Sequence, residues 1–209
     1  MIGALAYHPK RTLAENFEGT SRDWNSGEAS IETSMLYTPE SRFGIVAEFT
    51  DGIRYINYPD FEFKGTFSAN FWCKLRSSPY SYFAGTQVSA NRGGRLLYTT
   101  GFSIISDSGS IITLLINLVP FLNKWAYYTF ELDVENLTMS VFVNSELIAT
   151  QNITGTFNDF IQNFKIGVRP DRPDRLNLNG YMKNLQIFNC VLPQSDIIRI
   201  MNGLNPISI

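Results

Sequence analysis

Three carboxylates spaced two residues apart form the pattern in this chain that most suggests chemistry. Glu131, Asp133 and Glu135 would share one face of a β-strand, because strand side chains alternate between faces. Neighbouring carboxylates raise one another's pKa, which suits a carboxyl group to general acid catalysis of sugar hydrolysis. However, Glu135 and Asn136 are typical of a turn that ends the strand. We therefore expect a solvated hairpin face without catalysis, and a glycoside hydrolase using Glu131 and Glu135 is the alternative.

A second candidate is a loop of sequence RPDRPDR, in which three arginines alternate with two aspartates. The planar guanidinium group forms paired hydrogen bonds with carboxylates and phosphates. Arg169, Arg172 and Arg175 are therefore candidates for binding an anionic sugar or an acidic protein surface. Ion pairs within a proline-stiffened loop are the alternative.

Aromatic side chains supply a third candidate, because a flat ring can stack against the face of a sugar. Trp72, Tyr80 and Tyr82 are the candidate ligand-binding rings, and Tyr98 is a further stacking residue. Aromatic residues make up 14% of the chain, so most of them should be needed in the core or at an interface. Such packing is the alternative for each of these rings.

Composition and residue counts argue against several other kinds of chemistry. The net charge of −2 is unlike that of a general nucleic-acid binder, which carries a basic face. His8 is the only histidine, so neither a histidine metal cluster nor a serine–histidine triad is expected. The longest apolar run, residues 111–122, is short and is interrupted by Thr113, Asn117 and Pro120. This argues against insertion into a membrane.

Many short strands would have to position these candidates. From about Phe43 onward, short alternating segments rich in β-branched and aromatic residues are separated by glycine, asparagine and aspartate turns, which predicts an all-β antiparallel sandwich or jelly roll. We predict an N-terminal arm or irregular segment over 1–42 and one jelly-roll domain over 43–209. A short C-terminal helix should begin with Ser195 as its N-cap and stop at Gly203.

Two segments show the alternation most clearly and predict strands with one dry face, the second of which opens a hairpin. The positions predicted to face the core are Phe67, Ala69, Phe71, Cys73 and Leu75 in the first segment and Ala126, Tyr128, Phe130 and Leu132 in the second. We expect Cys73 and Cys190 to be free thiols that act as small apolar side chains.

The order of four segments resembles a known family. The segments FSANFWCKL, NKWAYYTFELDVENLTMSVFVNSELIAT, FKIGVR and LNGYMKNLQIFNCVLPQSDIIRIMNG resemble the laminin-G-like and pentraxin-like branch of the concanavalin A-like jelly rolls, over roughly residues 43–203. The Glu131–Glu135 run looks like the catalytic strand of β-glucanases with the same overall fold. The resemblance also implies a calcium position in the arginine-rich loop, with Asp171 and Asp174 as candidate ligands; otherwise we expect no cofactor.

The resemblance implies a non-catalytic structural or adhesion module, and a soluble carbohydrate-binding lectin is a further alternative. The apolar patch at the N-terminus precedes the basic residues, the reverse of a secretory signal. We therefore expect a protein made in the cytoplasm without a signal peptide. Because cells usually export domains of this type behind a signal, we expect a virus or phage protein that is exposed on the virion surface. Its expected partners are other virion or assembly proteins, further copies of itself in a homo-oligomer, and host glycans.

Overall fold

The structure is a computed structural model that describes residues 11–15, 17, 31–49, 54–76, 81–86, 94–171 and 177–207. The described residues form fifteen strands, a short 3-10 turn at Val119–Phe121 and one α-helix, α1 (Gln194–Met201). The strands are β1 (Arg11–Glu15), β2 (Ile31–Thr33), β3 (Leu36–Glu40), β4 (Gly44–Phe49), β5 (Tyr55–Phe63), β6 (Phe67–Leu75), β7 (Tyr82–Thr86), β8 (Gly94–Tyr98), β9 (Gly101–Ile105), β10 (Ile111–Leu115), β11 (Trp125–Asp133), β12 (Thr138–Val143), β13 (Glu146–Asn152), β14 (Phe160–Ile166) and β15 (Gly180–Phe188).

The strands form two antiparallel sheets. The eight-stranded sheet has the order β13-β12-β11-β6-β15-β4-β3, and β1 also pairs with β15. The seven-stranded sheet has the order β10-β9-β8-β7-β14-β5-β2. Strands distant in sequence lie side by side in both sheets, as in a jelly roll. The predicted fold class, an all-β sandwich with a short C-terminal helix, is confirmed.

The main core lies between the two sheets. Every position of β6 and β11 predicted to face the core is at most 1% exposed and belongs to one continuous apolar cluster. The register explains this, because β6 and β11 pair directly with Ala69 opposite Phe130. Phe83 and Phe102 of the other sheet lie 5.8 Å and 5.7 Å from the ring of Phe130. The alternation therefore predicts the inner face correctly.

A second apolar cluster covers the outer face of the eight-stranded sheet. The chain that follows β15 folds back over this face, and Leu192, Ile197 and Ile200 are buried against Trp72 and Tyr127. The apolar face of the amphipathic helix α1 thus covers a sheet face that would otherwise be exposed to solvent. We call this arrangement the outer cluster.

The bounds of α1 differ slightly from the prediction. Pro193 is the N-cap, and its carbonyl oxygen accepts hydrogen bonds from the amides of Asp196 and Ile197. Ser195, predicted as the N-cap, therefore lies inside the helix. The predicted stop is confirmed, because Gly203 has a φ of 77° and its amide donates to the carbonyl of Ile200.

Residues before 43, predicted as an N-terminal arm or irregular segment, contribute three strands. β1 pairs with β15, β2 with β5 and β3 with β4, and Leu13 and Phe17 are buried in the main core. These strands have three to five residues, too few to show a clear alternation. Sheet edges with unpaired backbone groups favour such additions.

The two cysteines are thiols, as predicted, with Cys73 buried in the main core and Cys190 half-buried. None of the helices formed by the described residues is long and apolar enough to cross a membrane.

Candidate ligand-binding sites at the two ends of the sandwich

Four predicted candidates meet at one end of the sandwich. Tyr82 begins β7 and Tyr98 ends β8, and the register pairs them directly. Their rings stack with centroids 5.2 Å apart at an interplanar angle of 29°. Arg169 and Asp171 follow β14, whose end lies at the same edge because β14 pairs with β7. We call Tyr82, Tyr98, Arg169 and Asp171 the tyrosine–arginine cluster.

Arg169 is fixed by two planar contacts. Its Nε donates to Oδ1 of Asp171 at 2.7 Å and its Nη2 donates to Oδ2 at 3.1 Å, a bidentate pair. Its Cζ lies 5.7 Å from the centroid of the Tyr82 ring. The hydrogen bond to Asp171 is the main cause that raises the pKa of Arg169, and burial raises the pKa of Tyr82. The guanidinium group therefore stays charged and is held in one orientation.

Tyr98 is the more accessible ring of the cluster. It is half-buried, whereas Tyr82 is 7% exposed. The hydroxyl of Tyr98 shares a hydrogen bond of 2.9 Å with Ser103, and Ser103 shares one of 2.7 Å with Thr113. The partly exposed Tyr98 ring stacks on Tyr82, and Tyr82 in turn contacts the fixed guanidinium group. This arrangement suits a ligand that has an apolar face and several hydroxyl groups.

Several predicted site residues lie outside the described residues, namely Tyr80, Arg172, Asp174 and Arg175. Asp171 was a candidate calcium ligand, but both of its carboxylate oxygens accept hydrogen bonds from Arg169. The arrangement at Asp171 corresponds to the predicted alternative of an ion pair within the loop. Among the residues that the structure describes, no group of three or more His, Cys, Asp or Glu side chains is placed to hold a metal ion.

Trp72 lies away from this cluster, on the outer face of the eight-stranded sheet. It is 6% exposed, its ring contacts Phe43 at 5.1 Å, and the Cζ of Arg42 lies 4.3 Å above it. The sequence predicted that the Trp72 ring could stack against a ligand. In the structure, other side chains cover this ring. The reason is the outer cluster, whose formation no local pattern indicates.

The carboxylate run contains the largest departure from expectation. Glu131 is 6% exposed, so the prediction of a solvated face is wrong for this residue. The amide of Leu192, 61 residues further along the chain, donates to Oε1 of Glu131 at 2.8 Å. Burial is the main cause that raises the pKa of Glu131 to about 7; the Leu192 hydrogen bond opposes this rise, and the charge of Asp133 adds to it.

Glu131 lines a cavity of about 340 Å³, which we call the Glu131 cavity. Its walls are Glu131, Asp133, Thr138, Ser140, Val191, Leu192 and Pro193. Glu135 instead lines a separate groove of about 700 Å³, together with Lys64, Thr66 and Asp159. The two glutamates of the hydrolase alternative therefore occupy different depressions. Asp133 closes the hairpin turn, accepting hydrogen bonds from the amides of Glu135 and Asn136 at 3.0 Å.

Sequence reasoning identified Glu131 but missed the cavity above it. The wall of the cavity is formed by residues 191–193, an irregular segment whose sequence pattern does not indicate a site. Only the position of Glu131 on the same face as Asp133 could have indicated the cavity floor.

The two antiparallel sheets and the short C-terminal helix define a jelly-roll β-sandwich. A family model described as the Concanavalin A-like lectin/glucanases superfamily matches residues 50–198, and the chain belongs to this superfamily. The sequence has no significant match among curated proteins.

Solved structures with the same fold include domains that bind sugars or belong to toxins. Domain 4 of AbnA, a GH43 extracellular arabinanase from Geobacillus stearothermophilus in complex with arabinotriose, is 17% identical with a TM-score of 0.71, and the match covers 90% of this chain and 97% of that one. The binding domain of Paraclostridial Mosquitocidal Protein 1 is 12% identical with a TM-score of 0.72, covering 93% and 52%. The binding domain of Botulinum Neurotoxin DC in complex with SialylT is 16% identical with a TM-score of 0.65, covering 94% and 51%. The chain thus spans about half the length of these toxin domains, and at such identities the likeness shows the fold.

Proposed function

We propose that this protein is a non-catalytic carbohydrate-binding module that holds an oligosaccharide at the tyrosine–arginine cluster. The observation that carries the proposal is the convergence of Tyr98, Tyr82, Arg169 and Asp171 from three separate segments at one end of the sandwich. Similar folds in complex with arabinotriose and with SialylT support the ligand class. The separation of Glu131 from Glu135 supports the absence of hydrolysis.

The cluster offers the contacts that a sugar requires. The partly exposed ring of Tyr98 can stack against the C–H face of a pyranose or furanose. Arg169 has five N–H donors; two are directed at Asp171 and the side chain also forms a hydrogen bond with Tyr82, which leaves further donors for sugar hydroxyls. Because Asp171 fixes the guanidinium group in advance, little conformational entropy is lost when the ligand binds.

Calorimetric titration with arabinotriose and with a sialylated trisaccharide tests this function. Arg169→Lys keeps the charge but loses the planar fork, and we expect it to weaken binding by about tenfold. Arg42→Lys is the matched control, because Arg42 lies over Trp72 in the other sheet and its replacement should leave binding unchanged.

Failure of both sugars to bind, followed by a blank glycan array, would contradict the proposed function. Equal losses in the Arg169 and Arg42 variants would instead reject the tyrosine–arginine cluster as its site. Release of reducing sugar from the bound oligosaccharide would contradict the absence of catalysis.

The display of the module on a virion surface as a homo-oligomer stays a prediction from the sequence. Mass spectrometry and electron microscopy of purified particles test the location, and light scattering of the purified protein tests the oligomer. Particles without the chain, or a monomer at all concentrations, would contradict these predictions.

A further inference from the structure

The Glu131 cavity is lined by residues of the eight-stranded sheet and of the segment after β15, whereas the tyrosines of the tyrosine–arginine cluster belong to the seven-stranded sheet. The proposed glycan binding at that cluster does not use the cavity. Its floor is the outer face of the β11–β12 hairpin, where Glu131 pairs across the strands with Ser140 and Asp133 pairs with Thr138. Its wall is the irregular segment 191–193. The cavity therefore depends on a contact between the hairpin and the chain that follows β15.

The described charged side chains that line this cavity are acidic. Of the described side chains that line it, the carboxylates of Glu131 and Asp133 carry charge, and none is a lysine or arginine. The neighbouring strands present Ser68 and Ser140 directly opposite Glu131, so they supply no compensating cation. Asp133 is the charged group that acts on Glu131, and it disfavours the ionised form.

Glu131 lines the cavity and retains acceptor capacity. An ionised carboxylate can accept about four hydrogen bonds, and the Leu192 amide supplies one to Oε1. A buried carboxylate with spare acceptor capacity is costly unless a cation or further donors compensate it.

We infer that the Glu131 cavity binds a small ligand that carries a primary ammonium group. The ammonium group offsets both the burial of Glu131 and the repulsion from Asp133, because it places a positive charge between two carboxylates. Its three N–H donors match the carboxylate of Glu131 and the hydroxyl oxygens of Thr138 and Ser140, the second of which also shares a hydrogen bond with Thr150. Asp133, whose oxygens accept hydrogen bonds from Glu135 and Asn136, contributes mainly its negative charge. The apolar side chains of the wall contact the carbon atoms of the ligand. The volume of about 340 Å³ admits only a compact molecule.

The backbone amide of Leu192 reports on the protonation state of Glu131, because it donates a hydrogen bond directly to that carboxylate. In the ligand-free protein, we expect the chemical shift of this amide to change with pH as Glu131 ionises. Saturating ethanolamine should lower the pH at the midpoint of this change. Ethanolamine should also bind about tenfold more tightly at about pH 8 than at about pH 6, because the ionised fraction of Glu131 rises over that interval. Ethylene glycol, the neutral analogue, should leave the Leu192 resonance unchanged.

Glu131→Gln keeps an acceptor for Leu192 but removes the charge, and we expect it to abolish ethanolamine binding. Glu135→Gln makes the same change on the same hairpin outside the cavity, so binding should persist. An unchanged Leu192 midpoint in the wild-type protein overturns the inference without any variant. An equal response to ethylene glycol or a stronger response to calcium chloride also overturns it, in favour of a polyol or metal site. None of these results depends on the proposed glycan site.

Discussion

The protonation state of Glu131 is coupled to the stability of the folded protein. Its carboxyl group is buried by Leu192 and its neighbours, and burial raises its pKa to about 7 in the folded protein. In the unfolded chain a glutamate titrates near ~4.3. The folded state therefore holds this proton more tightly than the unfolded state between these two pH values. Stability from this group is greatest at low pH and is lost as pH rises through about 7.

Glu131→Gln should therefore stabilise the protein at high pH. The neutral amide keeps the acceptor for Leu192 and avoids the burial of a charge, so at about pH 8 we expect a gain on the order of 3 kcal/mol in the free energy of unfolding. The gain should shrink towards zero near pH ~4.5. Urea denaturation across this pH range checks it, with Glu135→Gln as the exposed control that should show no such trend. A variant less stable than the wild type at high pH would contradict the burial of an ionised carboxyl.

At the scale of the element, α1 is fixed by backbone groups at both ends. Pro193 starts it through its carbonyl oxygen, with no side-chain cap, and Gly203 ends it in a left-handed conformation. The amide of Leu204 donates to the carbonyl of Arg199 at 2.9 Å, which completes the Schellman motif. The helix can therefore tolerate change at Ser195 but not at Gly203.

Gly203→Ala should lower the free energy of unfolding by about 1 kcal/mol, because a Cβ atom strains a residue with positive φ. Ser195→Ala should change it by less than about 0.5 kcal/mol, since Ser195 is exposed and lies inside the helix. Thermal unfolding followed by circular dichroism measures both. A loss of about 1 kcal/mol in the Ser195 variant would restore that residue as the N-cap.

At the scale of the whole molecule, the sandwich has a third partial layer. The segment after β15 and α1 cover the outer face of the eight-stranded sheet, and they bury polar side chains such as Asn70 and Thr129 along with the outer cluster. The hydroxyl of Thr129 donates to Oδ1 of Asn70 at 2.8 Å, so these groups are paired beneath the cover. The same layer forms the wall of the Glu131 cavity.

Ile197→Ala should lower the free energy of unfolding by about 3 kcal/mol, because Ile197 is fully buried in the outer cluster. Ile198→Ala is the matched control on the same turn; Ile198 is 40% exposed, and we expect a loss below about 1 kcal/mol. Chemical denaturation compares the two variants. Similar losses would show that the third layer contributes little to folding.

The sequence by itself determined the inner architecture of this protein. The alternation in β6 and β11 specifies which side chains face the core, because strand periodicity is a local property of the chain. Local patterns also predicted the helix stop at Gly203 and identified Tyr82, Tyr98 and Arg169 as candidates, whereas Asp171 was a candidate through the family resemblance.

Only the tertiary structure decided what lies over the outer faces. The burial of Glu131 depends on Leu192, 61 residues away, and the burial of Trp72 depends on Arg42 and Phe43. The short strands β2 and β3 likewise exist because longer strands offer them an edge. Such contacts depend on packing between segments distant in sequence, and packing energy leaves no periodic mark on either segment alone.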